Sequence, residues 1–499
     1  MLKNISTSQV VGLALVALAV RWLARGIYRV YFHPLSRFPG PKLSAFTRFP
    51  HHRAVGKGKL PQYVAKLHEQ YGEVVRISPD ELSFLHANAW RDIHGHGPKE
   101  SKGSAPPKNF HRYTKPWNGV SHLITIEDPA EHAATRKIFT TAFSDRALMQ
   151  QAPLFTKYAD KLVACLQKGG TFDLVSMYNF TTFDVMSNLA FGESLHMLEQ
   201  GAYNPWVSII FQNIRISVLL GRIYFYYPLA TYLIRRLLHK RIATAQQAHF
   251  NFSSSRVTKR LEKGRQSDGV DLWDLILQQE EKGGKSVLTR GQMDANSGLF
   301  MVAGTETTAT LLAGLTFMLL KHPDKMDKLK EEVRATFTSS DEITMEVLQA
   351  MPYLNACIKE ALRKYPPVPV GMPHLTPREG STVCGYFVPP GITVSAPHLA
   401  IYTSSRMFTD PLSFIPERWI GDSRYANDER AVLQPFSYGA RDCLGKNMAY
   451  HEMRLILAKV VFNFDLELMP ENGDWFDQEV FTLWQKKPLM VDVRPVKSA

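Results

Sequence analysis

The sequence predicts a mainly α-helical protein with a small β-rich part, an α+β chain. One long central helix organises it, and an N-terminal membrane anchor helix precedes it. Three observations carry this expectation. A helical pattern runs unbroken from Thr289-Arg290-Gly291-Gln292, which has the form of a capping box, to Lys321, where His322-Pro323 ends it. At 1.5 Å per residue such a helix would run roughly 45–50 Å, enough to cross a large domain. Further helical stretches begin at Pro352, stopping by Pro366-Pro367, and at Asn447, running to Val461. Finally, Val10 to Val20 is an unbroken apolar run, and Ile5 to Leu23 is apolar enough for a marginal bilayer span, for which about 20 residues are typical.

The N-terminal run carries Lys3 before it and Arg21, Arg25, Arg29 and Arg37 after it. The positive-inside rule then places the bulk of the chain in the cytosol. Ala17-Leu18-Ala19 resembles a signal-peptidase site, but signal peptides carry their positive charge ahead of the apolar run. Phe38-Pro39-Gly40-Pro41 breaks any helix and stiffens the chain. The expected division is an anchor over 1–24, a basic, proline-rich linker over 25–42, and a single domain over 43–499.

Composition narrows the function. Of 499 residues, 45% are hydrophobic and 21% charged, an ordinary balance for a chain with a sizeable core, and no repeat or low-complexity tract appears. The 4 cysteines form no C-x-x-C pair, which argues against structural zinc and against a disulfide framework. A net charge of +13 suits anionic lipid or an acidic protein partner. Nucleic acid is not expected as a partner, since no zinc finger, helix-turn-helix or long basic run is present.

The chemistry sits near the C-terminus, in Phe436-Ser437-Tyr438-Gly439-Ala440-Arg441-Asp442-Cys443-Leu444-Gly445. Gly439 and Gly445 bracket a cysteine where the backbone must turn and approach something closely. Cys443 precedes a helix N-terminus, whose dipole favours a thiolate. A thiolate in an apolar, glycine-lined loop is a strong donor for haem iron. The commoner fate of a lone cysteine is burial as a structural residue. Here, though, F-x-x-G-x-R-x-C-x-G fixes five residue types, with a chance occurrence on the order of 10⁻⁴ or less.

A second signal lies mid-way along the central helix, in Ala303-Gly304-Thr305-Glu306-Thr307-Thr308. Glycine and threonines are poor helix formers, and a buried acid costs desolvation unless it has partners or a task. The bland reading is a kink with threonines bonded back to carbonyls. The functional one is a groove beside a cofactor in which an acid and an alcohol relay protons.

Together these segments closely resemble the cytochrome P450 family, and the likeness runs from the anchor to about Val491 in the family's order. It implies the cytochrome P450 fold and haem b, with Cys443 as axial iron ligand, Phe436 beside the thiolate and Arg441 on a haem propionate. Gly439, Gly445, Ala303 and Gly304 are its other haem contacts, and Glu306 and Thr307 its proton-delivery pair. His132 and Arg136, in Asp128-Pro129-Ala130-Glu131-His132-Ala133-Ala134-Thr135-Arg136, resemble the family's W/H-x-x-x-R propionate donors. Glu360 and Arg363, three apart on one helix face, with Arg418 of Pro416-Glu417-Arg418-Trp419, resemble its structural Glu–Arg–Arg network, Trp419 replacing the more usual Phe. Where the family often has G-x-P-R, this chain has Gly371-Met372-Pro373-His374, so His374 is the expected second propionate donor. By family position the substrate pocket draws on Phe300, Val302, Val368, Val370 and Phe481, all apolar.

The stretch Arg76 to Leu82 and the F-H-P-L linker look most like fungal members of specialised metabolism, similar to isotrichodermin C-15 hydroxylases of the trichothecene type. The resemblance implies a monooxygenase that hydroxylates or epoxidises a lipophilic terpenoid or polyketide. No flavin or nicotinamide motif is apparent. Electrons are then expected from NADPH through NADPH-cytochrome P450 reductase, with cytochrome b5 as a further donor. Lys137, Lys446 and Arg454 are candidates for the docking face. The implied location is the endoplasmic reticulum membrane, single-pass. The segment Ile209 to Leu238, dense in apolar residues with Arg235, Arg236, Lys240 and Arg241 adjoining, reads as helices round a substrate channel that dip into the membrane interface. Two rivals are a reductase-independent haem-thiolate isomerase or dehydratase, which tends to lack the Glu306–Thr307 pair, and a non-catalytic membrane haem-binding protein, for which that pair has no use.

Overall fold

A computed structural model describes residues 7–95, 106–113, 118–264, 271–283 and 288–496. The chain packs as two units: Met1–Asn109 with Val370–Ser404, and Phe110–Pro369 with Ser405–Ala499.

The first unit begins with the Thr7–Tyr31 helix, which continues past the boundary expected at residue 24. Its apolar side chains, Val10 through Leu23, are exposed. Its C-terminal half packs on the Lys42–Phe46 helix. Gly26 lies flat on the Phe46 ring, where an added Cβ would fall 2.0 Å from Phe46 Cε2, and Trp22 packs edge-on to the same ring at 4.8 Å. The segment Arg76 to Leu82 is a tight antiparallel hairpin, Val74–Ser78 with Glu81–Phe84, which is continued by Thr393–Ser395 and His374–Leu375 into a four-stranded sheet. Arg76 is buried inside the hairpin and donates to the carbonyls of Pro79 and Arg29, tying the foot of the N-terminal helix to the sheet.

His374 belongs to this sheet. Its Nδ1 donates to the Pro106 carbonyl at 2.7 Å, and its ring stands 4.4 Å from that of His94. A ring that gives its Nδ1 proton to a carbonyl can donate from Nε2 only when doubly protonated, which an arginine at this position would never require. Val370, an expected pocket residue, lies in this unit as well, and its carbonyl accepts from His398.

The second unit is helical round the Arg290–Lys321 helix, which at 32 residues spans about 48 Å. Its start is the expected capping box: Gln292 N–H donates to Thr289 Oγ1 at 3.3 Å and Thr289 N–H to Gln292 Oε1 at 2.9 Å. The helix is long and apolar enough to cross a membrane, but most of it is buried in protein, as a core helix is. Leu174–Phe191 packs along it almost wholly buried. Gly304 permits the close approach, since a Cβ there would meet Met186 Sδ at 2.8 Å. The strands are few: a sheet of Gly170–Asp173, Met490–Pro495 and Phe464–Leu468, and a hairpin of Glu479–Phe481 with Leu483–Gln485. The segment 209–238 falls on two helices, Pro205–Tyr226 and Pro228–Glu262. Leu229, Tyr232, Leu233 and Leu237 of the latter stand exposed, whereas the side chains of Arg235, Lys240 and Arg241 lie outside the described residues.

Candidate active site

The cysteine loop is closed on itself by Cys443 N–H donating to the Phe436 carbonyl at 2.8 Å. Ser437 at φ 64° and Gly439 at φ 81° make the turn, the second at a value that glycine adopts without strain. The Phe436 ring packs tilted against that of Tyr450 at 5.2 Å, on the Lys446–Asn463 helix that leaves the loop. Two arginines tie the loop to the segment that carries His132. Arg441 donates to the Ile126 and Glu127 carbonyls at 2.9 and 3.2 Å and lies over the Phe110 ring. Reciprocally, Arg136, on the Pro129–Ala142 helix, donates to the Asp442 carbonyl at 2.7 Å and pairs with the Asp442 carboxylate. Two of the expected propionate donors, Arg136 and Arg441, therefore hold the cysteine loop, a partnership the spacing of neither motif announced. His132 is buried on the same helix as Arg136.

Cys443 is exposed on one side. The packed chain on its other sides withholds hydration from the anion and pushes the thiol pKa up, against the lowering by Gly445 N–H. A thiolate here needs a cation at the sulfur, and metal coordination supplies one outright. Gly445 takes φ −89°, and a Cβ added to it would make only ordinary contacts with Phe143 and Met448. The protein itself does not demand glycine there.

In the central helix most residues near the motif are buried, but Ala303 is exposed and Val302, Gly304 and Thr307 are half-exposed. Ala303 and Thr307, four apart, share one face. The Thr307 hydroxyl donates to the Ala303 carbonyl at 2.7 Å, and Thr305 bonds back to Met301 in the same way. The back-bonding reading and the open groove thus coexist.

Glu306 faces elsewhere. It is buried, and its Oε1 accepts from Lys486 Nζ at 2.6 Å. Burial raises the Glu306 pKa and lowers that of Lys486, each opposed by the partner's charge. Lys486 carried no motif, and only an unexplained buried lysine could have flagged it. The adjoining Thr308 lies near Glu452 of the helix that follows the cysteine, a fully buried acid whose oxygens make no well-formed hydrogen bond among the described residues.

On the Pro352–Lys364 helix, Glu360 accepts bidentately from Arg363 at 2.7 and 3.0 Å and from Arg418 at 3.2 Å, all three fully buried. Two members were missed. Asp428 pairs with Arg418 and brings the group to charge balance, and the Trp419 indole donates to Glu360 Oε2 at 2.9 Å. The tryptophan is therefore not a neutral exchange for Phe, because it adds a donor that Phe lacks. Trp419→Phe is expected to lower stability by about 1.5–3 kcal/mol, the usual worth of a hydrogen bond to a charged group. Denaturant midpoints would show it, and an unshifted midpoint would deny the indole any share.

Among the expected pocket residues, Val302 and Val368 are half-exposed. Phe300 is a core residue packed edge-on to Phe139 and Phe143 at 5.0 and 5.4 Å. Phe481 is buried under the Arg215 guanidinium. Of the expected docking cations, Lys137 and Lys446 are exposed. Arg454 is not a loose surface charge: it donates to Asn355 at 2.7 Å and lies over Tyr450.

Residues 39–493 match the family model described as Cytochrome P450. The chain is 44% identical over 474 residues to cytochrome P450 monooxygenase FUM2 of Gibberella moniliformis, a match covering 93% of this chain and 98% of that one. Cytochrome P450 monooxygenase efuB of Hormonema carpetanum is 44% identical over 472 residues, 93% of this chain and 92% of its own. Cytochrome P450 monooxygenase lcsI of Purpureocillium lilacinum is 40% identical over 492 residues, with 96% and 93% covered. The chain belongs to the cytochrome P450 family.

Proposed function

We propose that the protein is a membrane-anchored haem-thiolate monooxygenase with Cys443 as the iron ligand, acting on a lipophilic small molecule of fungal secondary metabolism. The family's cofactor is haem, its iron held by a cysteine thiolate. The observation that carries the assignment is the accessible Cys443 in a loop that two arginines and an internal hydrogen bond otherwise hold fixed. The donor set fits the group: a soft sulfur, a backbone N–H at that sulfur, a glycine that the protein packing does not require, and the guanidinium N–H groups that Arg136 and Arg441 do not spend on their protein partners, which would serve propionates.

When bound, the haem supplies reductive activation of dioxygen. Residues of the chain do the rest. Arg136 and Arg441 keep Cys443 in place, Ala303 leaves open space on the central helix, and Thr307 and Glu306 manage protons. That acid–alcohol pair favours monooxygenation over reductase-free rearrangement. Lys137 and Lys446 offer positive charge to an acidic reductase. The exposed apolar Thr7–Tyr31 helix supports anchoring, with the endoplasmic reticulum as the expected membrane and the apolar side chains of Leu229, Leu233 and Leu237 as a second contact.

The test is a carbon monoxide difference spectrum of the reduced, haem-loaded protein, followed by turnover with NADPH and reductase. Cys443→Ser is expected to abolish the thiolate signature, because a serine hydroxyl is a harder and far less acidic ligand. An unchanged spectrum in that variant overturns the ligand assignment.

A further inference from the structure

The Glu306–Lys486 pair has one feature that the monooxygenase reading leaves unused. Lys486 Nζ makes three contacts: Glu306 Oε1 at 2.6 Å, Thr310 Oγ1 at 2.9 Å and Asn179 Oδ1 at 3.3 Å. Three donors meeting three acceptors fix the ammonium, and through it one oxygen of the glutamate. The other oxygen, Oε2, is buried and makes no well-formed hydrogen bond among the described residues, although the Thr310 hydroxyl also stands close to the carboxylate. An unpartnered carboxylate oxygen in the interior costs desolvation, so it persists where the fold or a task requires it.

The lysine comes from a hairpin distant in sequence. It follows directly on Leu483–Gln485, and its partner stands mid-way along the central helix. The two groups oppose what burial does to each: the ammonium works against the rise that burial imposes on the Glu306 pKa, and without it burial acts unopposed by any charge from Lys486. Other titratable groups face the pair. Tyr203, which accepts from Asn179 at 2.7 Å, and Tyr365, which donates to Gln478, both adjoin Glu306, and Asp173 adjoins Lys486. None of these three carries a positive charge, so Lys486 is the cation among the groups that face Glu306.

We propose that Lys486 is a positioning residue for proton delivery: it pins Glu306 Oε1 and keeps the carboxylate charged, leaving Oε2 as the atom that takes up and releases the proton. This rests on the monooxygenase reading for its purpose, but the charge state it assigns to Glu306 does not.

The test has two readouts on purified, haem-loaded protein. In infrared difference spectra with ¹³C-labelled glutamate, Lys486→Met is expected to add the carbonyl band of a protonated buried carboxylic acid at neutral pH. Lys486→Arg, which keeps the charge, is expected to add none, and the Glu306→Gln/Lys486→Met double variant loses the added band. In NADPH turnover, Lys486→Met is expected to lower product per NADPH about 10- to 100-fold, the usual effect of a misplaced catalytic group, with hydrogen peroxide rising in step. Lys486→Arg restores coupling at least in part.

Should Lys486→Met prove too unstable to purify, the Arg variant and the charge-free double variant decide. The double should then fold and behave as Glu306→Gln alone. No new band in Lys486→Met, or a double variant far worse than Glu306→Gln, overturns the proposal. Native protein that shows the expected infrared behaviour but no NADPH turnover would count against the monooxygenase reading instead.

Discussion

Glu360→Ala is expected to cost the protein about 3–5 kcal/mol, a large share of the roughly 5–15 kcal/mol that holds a typical domain folded. The reason is charge. Arg363, Arg418, Glu360 and Asp428 are all fully buried, two cations against two anions. Removing Glu360 leaves two guanidinium groups sharing one carboxylate in the interior. It also strips the Ile415 N–H and the Trp419 indole of their acceptor. Arg363 keeps the Pro411 and Ser413 carbonyls and Arg418 that of Thr409, which satisfies donors but not charge. The measurement is the yield of haem-loaded protein together with the denaturant midpoint of whatever folds. Glu360→Gln, which keeps the shape and loses the charge, should fall between native and alanine. An alanine variant with the native midpoint would show that the network is ornamental.

What the sequence disclosed was local, and what it hid was long-range pairing. The capping box at Thr289 and Gln292, the proline-started helix at Pro352 and the glycine-bracketed cysteine loop each need only neighbours within a few residues, so their chemistry shows in the string. Arg136 and Asp442 are 306 residues apart, and Lys486 and Glu306 are 180 apart. Nothing in the spacing of either segment states such a pairing. Asp428 is ten residues from Arg418, yet it sits in no pattern that distinguishes it from a surface acid. The ring contacts of Phe300 and the amide contact of Arg454 were hidden for a related reason. Helical position sets which face a side chain takes, but not whether that face meets another ring, an amide or solvent.

Glu452→Gln is expected to make the protein more stable than the native one at pH 7.5 by an amount that shrinks as the pH falls. Glu452 sits one turn beyond Met448 on the helix that leaves the cysteine loop, and burial pushes its pKa from the usual 4.5 to about 8. The folded protein therefore holds a proton that the unfolded chain has already released. Below pH 4.5 both states are protonated and the residue carries no electrostatic penalty. As pH climbs from 4.5 toward 8, only the unfolded state gives up the proton, so native stability falls by ~1.4 kcal/mol per pH unit, to ~5 kcal/mol at most. Glutamine does not titrate. Its own cost, an amide with few partners, is the same at every pH and sets a constant offset. Other groups titrate alike in both proteins and cancel in the difference. Between pH 5.5 and 7.5 the gap in unfolding free energy should widen in favour of Gln by about 2–3 kcal/mol. A gap that stays flat across those two pH units would mean that Glu452 is ionised in the folded protein. Some cation or solvent must then reach it beside Thr308, and the interior between the central helix and the cysteine helix would be wet where the packing has it dry.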